Sequence, residues 1–236
     1  MPIHSKSRPY KVQEQIQMSH KNIIAKSHSG WYNLEIMAKI ISADEIKKQL
    51  PNYSPDKAES FHRESARQAD KQFSKYLKTS RYKQVILLNG GAASGKTEFL
   101  STQLSRRRCI IFDATLSTKL GAQNKLRQII KAKKMPIIYA VVPDDLKRAF
   151  IAFLNRDRKF SDKHFYKTHS GSRETLLWIA SDYPNVEINI VESSYTKNQV
   201  LQFANIKFKN RKQLIEYLTG LQMTESGIIS LIQSLF

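Results

Sequence analysis

The sequence predicts an α/β protein built on a doubly wound, mainly parallel sheet of about five strands, with helical extensions at both ends. Three observations predict it. Short apolar runs alternate with helical patterns across residues 36–191. A chain of 236 residues, 41% hydrophobic and 10% aromatic, is long enough to bury a core. A glycine-rich octet stands between one apolar run and the helical pattern after it, which is where such sheets bind ligands.

Residues 1–30 are polar and basic, with Lys6, Arg8, Lys11, Lys21 and Lys26 against Glu14. Val12, Ile16, Ile23 and Ile24 repeat only weakly at helical spacing, so this stretch reads as a basic N-terminal arm. The core is expected over residues 31–196. Its first strand is the apolar Ile36–Ile41. Ser42 and Glu45 have the spacing of a capping box that opens a short helix to Leu50. Pro51 and Pro55 break that helix, and a long polar helix follows over roughly 57–78. Gln84–Asn89, Cys109–Asp113, Pro136–Val142 and Val186–Val191 read as strands. Helices are expected over 96–105, 119–133, 144–156 and 170–181. From Lys197 the pattern reads as helical, with one helix through 213–218 closing at Gly220 and another over 223–235. Residues 197–236 are thus a helical extension of the same domain.

Composition excludes several classes. The longest apolar runs, such as Ile137–Val142, are far too short to cross a bilayer as a helix. The first residues lack the apolar centre of a signal peptide. Cys109 is the single cysteine, so no internal disulfide forms and a reducing compartment is the default. The expected location is cytoplasmic, including the cytosol of a host or target cell if the protein is secreted. The net charge is +19, and residues 81–134 carry twelve Lys or Arg against Glu98 and Asp113, or +10 of that total. Such a field attracts nucleotides, nucleic acid or acidic lipid surfaces. Aromatics are not interleaved with it as an RNA-stacking surface requires.

The octet Gly90-Gly91-Ala92-Ala93-Ser94-Gly95-Lys96-Thr97 fits the phosphate-binding pattern G-x-x-x-x-G-K-[ST]. Three of the chain's eight glycines fall within it. Glycines there let successive backbone N–H groups turn toward phosphate oxygens, and the following helix adds its positive end. Lys96 is placed for the β- and γ-phosphates of ATP, and the Thr97 hydroxyl for Mg²⁺. Asp113, closing the run Cys109–Phe112, is the second candidate metal ligand.

With those residues in view, the chain resembles the zeta toxin kinases. Asp44-Glu45-Ile46-Lys47-Lys48-Gln49-Leu50-Pro51-Asn52-Tyr53 looks like their acceptor-site segment. The helix with His62-Arg63-Glu64-Ser65 is similar to the one that follows that segment in the family. Asp113-Ala114-Thr115 resembles their acid-Gly-Thr strand end, with alanine in place of glycine. Val142-Pro143, Arg148, Arg156, Arg158 and His169 resemble their strand, helix and arginine lid. The resemblance covers residues 38–192, and the Asp44–Tyr53 segment carries most of its specificity.

The resemblance implies an ATP- and Mg²⁺-dependent kinase of P-loop type that phosphorylates a sugar hydroxyl of a nucleotide-linked acceptor. UDP-N-acetylglucosamine is the first candidate, and an NAD-like dinucleotide the second. Asp44 would be the base, and Arg158 with Arg156 or Arg148 would neutralise the transferring phosphoryl group. Lys47, Glu64, Asp70 and Thr115 would grip the acceptor, while His62 and His169 read as structural. An antitoxin or immunity protein would be the partner of such a toxin or effector. One feature departs from the family: there the P-loop unit comes first, whereas here the Asp44 strand and helix precede it. The alternative readings are a polynucleotide kinase, favoured by the basic segment, and a nucleotide-binding module without catalysis.

Overall fold

Val85, Ile86, Leu87 and Leu88 are all fully buried, as a continuous apolar run must be when both faces of its sheet are covered. They belong to β2 (Gln84–Asn89), the third strand across a six-stranded sheet of order β1-β3-β2-β4-β5-β6. The computed structural model describes residues 37–195 and 201–234, so the N-terminal arm read over 1–30 lies outside the described residues. β1 (Lys39–Ser42), β3 (Ile110–Asp113), β4 (Met135–Pro143) and β5 (Glu187–Tyr195) run parallel to β2. β6 (Leu201–Ile206) returns antiparallel along β5.

The connecting helices are α1 (Ala43–Lys48), α2 (His62–Thr79), α3 (Lys96–Phe99), α4 (Lys119–Lys131), α5 (Leu146–Leu154) and α6 (Asp162–Asp182). After β6 come α7 (Arg211–Gly220) and α8 (Glu225–Gln233). Successive side chains of a strand point to opposite faces. Val85 and Leu87 accordingly pack with Phe73 of α2, Leu126 of α4, Ile179 of α6 and Leu218 of α7. Ile86 and Leu88 face the other way, against Phe99 and the π-helical turn Leu100–Leu104 that prolongs α3. A third cluster joins Phe150 and Phe153 of α5, Phe165 of α6 and Ile228 of α8 to Ala92 and Ala93 of the octet.

The doubly wound parallel sheet agrees with the sequence expectation, and three details correct it. The stretch after Lys197, read as helical, includes strand β6. Its side chains alternate Leu201, Gln202, Phe203, and Phe203 packs edge-on against Phe99 at 5.3 Å. That is a period of two, masked in the sequence by neighbouring polar residues. α6 begins at Asp162 rather than near residue 170, and Phe165, Thr168 and His169 of its first two turns pack against the octet. Ser42 does precede α1, but its side chain makes no cap bond. The hydroxyl instead donates to Asp113 Oδ2 at 3.2 Å.

β1 lies outermost beside β3, with Ser42 opposite Asp113 in register. The Asp44 helix therefore starts next to the end of β3, although it precedes the octet in the chain.

Candidate active site

The segments that follow the carboxyl ends of β1, β2 and β3 meet in one cleft of about 310 Å³, within the usual range of small-molecule sites. Its rim takes Ser42 and Asp44 from the β1–α1 junction, Lys96 and Thr97 from the octet, and Asp113 to Thr118 after β3. Asp70 from α2, Lys125 from α4, and Arg156 and Arg158 after α5 complete it.

The loop is built by close contact. Gly90 has φ +144°, and a Cβ there would lie 2.4 Å from the Val141 carbonyl oxygen. A Cβ on Gly91 would lie 2.3 Å from the His169 ring, closer than any neighbour tolerates. The His169 imidazole Nε2–H donates to the Ala92 carbonyl at 2.8 Å, and burial keeps the ring neutral by lowering its pKa. The Thr168 hydroxyl accepts from Ala92 N–H at 3.1 Å, and Ser193 Oγ donates to the Ser94 carbonyl at 2.9 Å. Asn89, which closes β2, donates its side-chain N–H to the Thr115 carbonyl just beyond β3 at 3.3 Å. Lys96 Nζ donates to the Gly90 and Gly91 carbonyls at 2.8 and 2.7 Å. Burial lowers its pKa to about 8, against the pull of Asp113.

Asp113 accepts the Ser42 hydroxyl, and burial raises its carboxyl pKa although Lys96 draws it down. Among the described residues no group of three or more His, Cys, Asp or Glu could hold a metal. The donors near the loop are the Thr97 hydroxyl and the Asp113 carboxyl. That set fits Mg²⁺, which takes one or two protein oxygens and completes its shell with phosphates and water.

Asp44 ion-pairs with Arg158 and, at 3.4 Å, with Lys47. Burial raises its pKa, but these two cations outweigh burial and leave the carboxyl below its ordinary value. Lys47 is fully buried with its ammonium 4.8 Å from the Phe160 ring centre, so it holds Asp44 from behind instead of facing the cleft. Arg156 lines the cleft, and among the described residues no acid forms an ion pair with it. Arg148 is bonded to Asp144, Asp145 and the Tyr195 carbonyl, outside the cleft. Between the two alternatives for the partner of Arg158, geometry places Arg156 beside it.

Asp70 pairs with Lys125 at 2.5 Å, and that ammonium lies 4.9 and 4.5 Å from the Phe73 and Phe112 ring centres. Thr115 Oγ1 donates to Ser117 Oγ at 3.3 Å. Glu64 does not line the cleft: it turns outward to Arg67 and Gln68. Sequence reasoning missed Lys125, Phe160 and His164 on the cleft wall. Phe160 stacks on His164 at 4.5 Å, and His62 meets His164 edge-on at 6.1 Å. His62, read as structural, thus also borders the cleft. Spacing on α2 could have found it, since His62, Ala66, Ala69 and Asp70 form one helical stripe.

No protein-family model matches the sequence, and no curated protein matches it. Among solved structures the chain is similar to the AvrRxo1-ORF1:AvrRxo1-ORF2 complex with sulphate ions. Identity there is 11%, over 74% of this chain and 76% of that one, with a TM-score of 0.44. It is similar to the same complex with ATP at 11% identity, over 73% and 75% of the two chains, with a TM-score of 0.43. Likeness this slight leaves the function to be argued from the cleft.

Proposed function

We propose that this protein is an ATP-dependent kinase of zeta-toxin type that phosphorylates a sugar hydroxyl of a nucleotide-linked acceptor. One observation carries the reading: Asp44, Lys96 and Thr97 line one cleft together with Arg156 and Arg158. Little covalent chemistry is required of a phosphoryl-transfer enzyme, so positioning and charge do most of it.

Each residue's part follows from its place. The octet backbone and Lys96 hold the β- and γ-phosphates of ATP. Thr97 and Asp113 would hold Mg²⁺, which neutralises charge on those phosphates. Asp44, kept ionised by Arg158 and Lys47, orients the acceptor hydroxyl and takes its proton. Arg158 has five donors in a planar fork, so it can hold Asp44 and still reach a phosphoryl oxygen. Arg156, paired with no acid among the described residues, meets the same charge as it spreads in transfer. Asp70, paired to Lys125, and Thr115 line the same cleft and grip the acceptor. UDP-N-acetylglucosamine is the favoured acceptor and an NAD-like dinucleotide the second, both on the strength of the Asp44–Tyr53 resemblance.

Mass spectrometry after incubation with ATP and Mg²⁺ tests this against nucleotide sugars, dinucleotides and oligonucleotides. The expected result is one added phosphate on a nucleotide-linked sugar. Phosphate on oligonucleotides alone, lost steeply as salt rises, would replace this reading with a polynucleotide kinase.

A further inference from the structure

The +10 segment, a natural candidate for drawing substrates to the cleft, mostly lies elsewhere. Of its twelve cations only Lys96 and Lys125 border the cleft. Because β1 to β4 are parallel, whatever precedes each strand gathers at the opposite rim of the sheet. There stand Arg81 and Lys83 before β2, Arg106 to Arg108 before β3, and Lys133 and Lys134 before β4. Lys131 closes α4 at that same rim. Among the described residues no acid pairs with Lys83, Arg106, Arg108, Lys131 or Lys133. The patch stops at β5, whose amino end carries Asp182 and Glu187.

The loops that carry these cations are tied together. Met135 N–H donates to the Lys83 carbonyl at 2.8 Å, and Ala38 N–H to the Ser105 carbonyl at 3.1 Å. Lys134 Nζ donates to the Ser80 carbonyl at 2.8 Å and the Tyr82 carbonyl at 2.5 Å. Burial lowers the Lys134 pKa first, and the charges of Lys83 and Lys39 lower it further, so cations from the starts of three strands crowd together. At the same rim stand Met37 before β1, Ile130 near the end of α4 and Met135 at the start of β4, exposed by 65%, 53% and 57%. Among the described residues the exposed large apolar side chains include no aromatic ring. Single-stranded nucleic acid is gripped by stacking on such rings, whereas cations around protruding aliphatic side chains suit an anionic bilayer surface.

We propose that the amino-end rim of the sheet, with Lys83, Arg106, Arg108 and Lys133 around Met37, Ile130 and Met135, docks this protein on anionic membrane surfaces. Phospholipid headgroup phosphates and carboxylates meet the cations while the aliphatic tips enter the headgroup layer. The catalytic cleft then faces away from the bilayer, open to soluble substrates. Among the described residues no helix is long and apolar enough to cross a membrane, so the contact is peripheral.

Co-sedimentation of the full chain with phosphatidylcholine vesicles, with and without phosphatidylserine, tests this. Binding is expected only with phosphatidylserine. The triple variant Lys83→Glu, Arg106→Glu, Lys133→Glu should weaken it by at least about 100-fold, from the usual strength of cations at such a surface. The pair Ile130→Ser and Met135→Ser should weaken it severalfold at unchanged charge. Circular dichroism and binding of a fluorescent ATP analogue would show that both variants are folded. Absence of binding to phosphatidylserine vesicles, or binding that survives the triple reversal, overturns the proposal. So does tight binding to a duplex oligonucleotide that outcompetes the vesicles and ignores the Ile130 and Met135 substitutions.

Discussion

The two ends of one parallel sheet carry cations in opposite ways. At the carboxyl ends, the cations that count are few and mostly engaged: Lys96 bonds loop carbonyls, Arg158 and Lys47 hold Asp44, and Lys125 holds Asp70. At the amino ends they are many and exposed, and five of them meet no acid among the described residues. Burial makes each charge at the first end costly and hence specific in its partner. Exposure at the second leaves a diffuse field that selects only for sign. The proposed chemistry belongs to the end with less charge, and on that reading net charge alone is a poor guide to where a substrate binds.

The sharpest way to break that contrast is to remove one engaged cation. Lys96→Ala should abolish phosphoryl transfer and sharply weaken ATP·Mg²⁺ binding by calorimetry. Vesicle binding should stay unchanged, because Lys96 is at the other end. Turnover at the wild-type rate would show that the octet is not the phosphate site.

The next effect in size falls on the acid. Asp44→Asn keeps the shape but removes the charge that Arg158 and Lys47 compensate. Turnover should fall by about 10²–10⁴-fold, the usual contribution of a general base. ATP affinity should hold within a small factor, which separates this variant from Lys96→Ala. Full turnover would reduce Asp44 to an acid favoured in the first turn of α1 by the helix dipole.

A smaller loss should come from the support beneath the loop. Gly91→Ala places a methyl group against the His169 ring, and forced contacts of that kind cost about 1–3 kcal/mol. Thermal denaturation should register the cost, and ATP affinity should weaken as the loop shifts. An unshifted melting temperature would mean that His169 yields freely and does not buttress the loop.

That buttress marks where the sequence stopped being readable. Local signals carried the first five strands, the octet and Asp113, because each depends on residues adjacent in the chain, while β6 was misread as helical. Asp44 came through a resemblance, and its position beside Asp113 became visible only once β1 was seen next to β3. Thr168 and Ser193 hold the loop from distances of 76 and 99 residues, and no periodicity reports such contacts. The Ser42 hydroxyl shows the competition plainly. Its spacing to Glu45 suits a capping box, yet a buried carboxyl across the sheet is the stronger claimant for its proton.

The smallest expected effect compares two acids on one helix, and the comparison is decided by geometry. Glu64 and Asp70 were both assigned to the acceptor on the strength of the resemblance. Six residues of α-helix turn about 600°, which leaves their side chains some 120° apart around the axis. They cannot both face one cleft. The stripe His62, Ala66, Ala69 and Asp70 takes the inward side, and Glu64 turns to solvent. There the bonds from Arg67 and Gln68 hold its carboxyl down to about 2. A fully exposed pair of this sort is screened by solvent and stabilises the fold little, so Glu64→Gln should barely move the melting temperature. It should also leave the KM for the acceptor within experimental error. Asp70→Asn should raise that KM and leave the KM for ATP alone, because it frees Lys125 in the cleft wall. If Glu64→Gln raises the acceptor KM as much as Asp70→Asn does, the outward turn of Glu64 is lost when substrate binds. The cleft wall would then have to include the next face of α2.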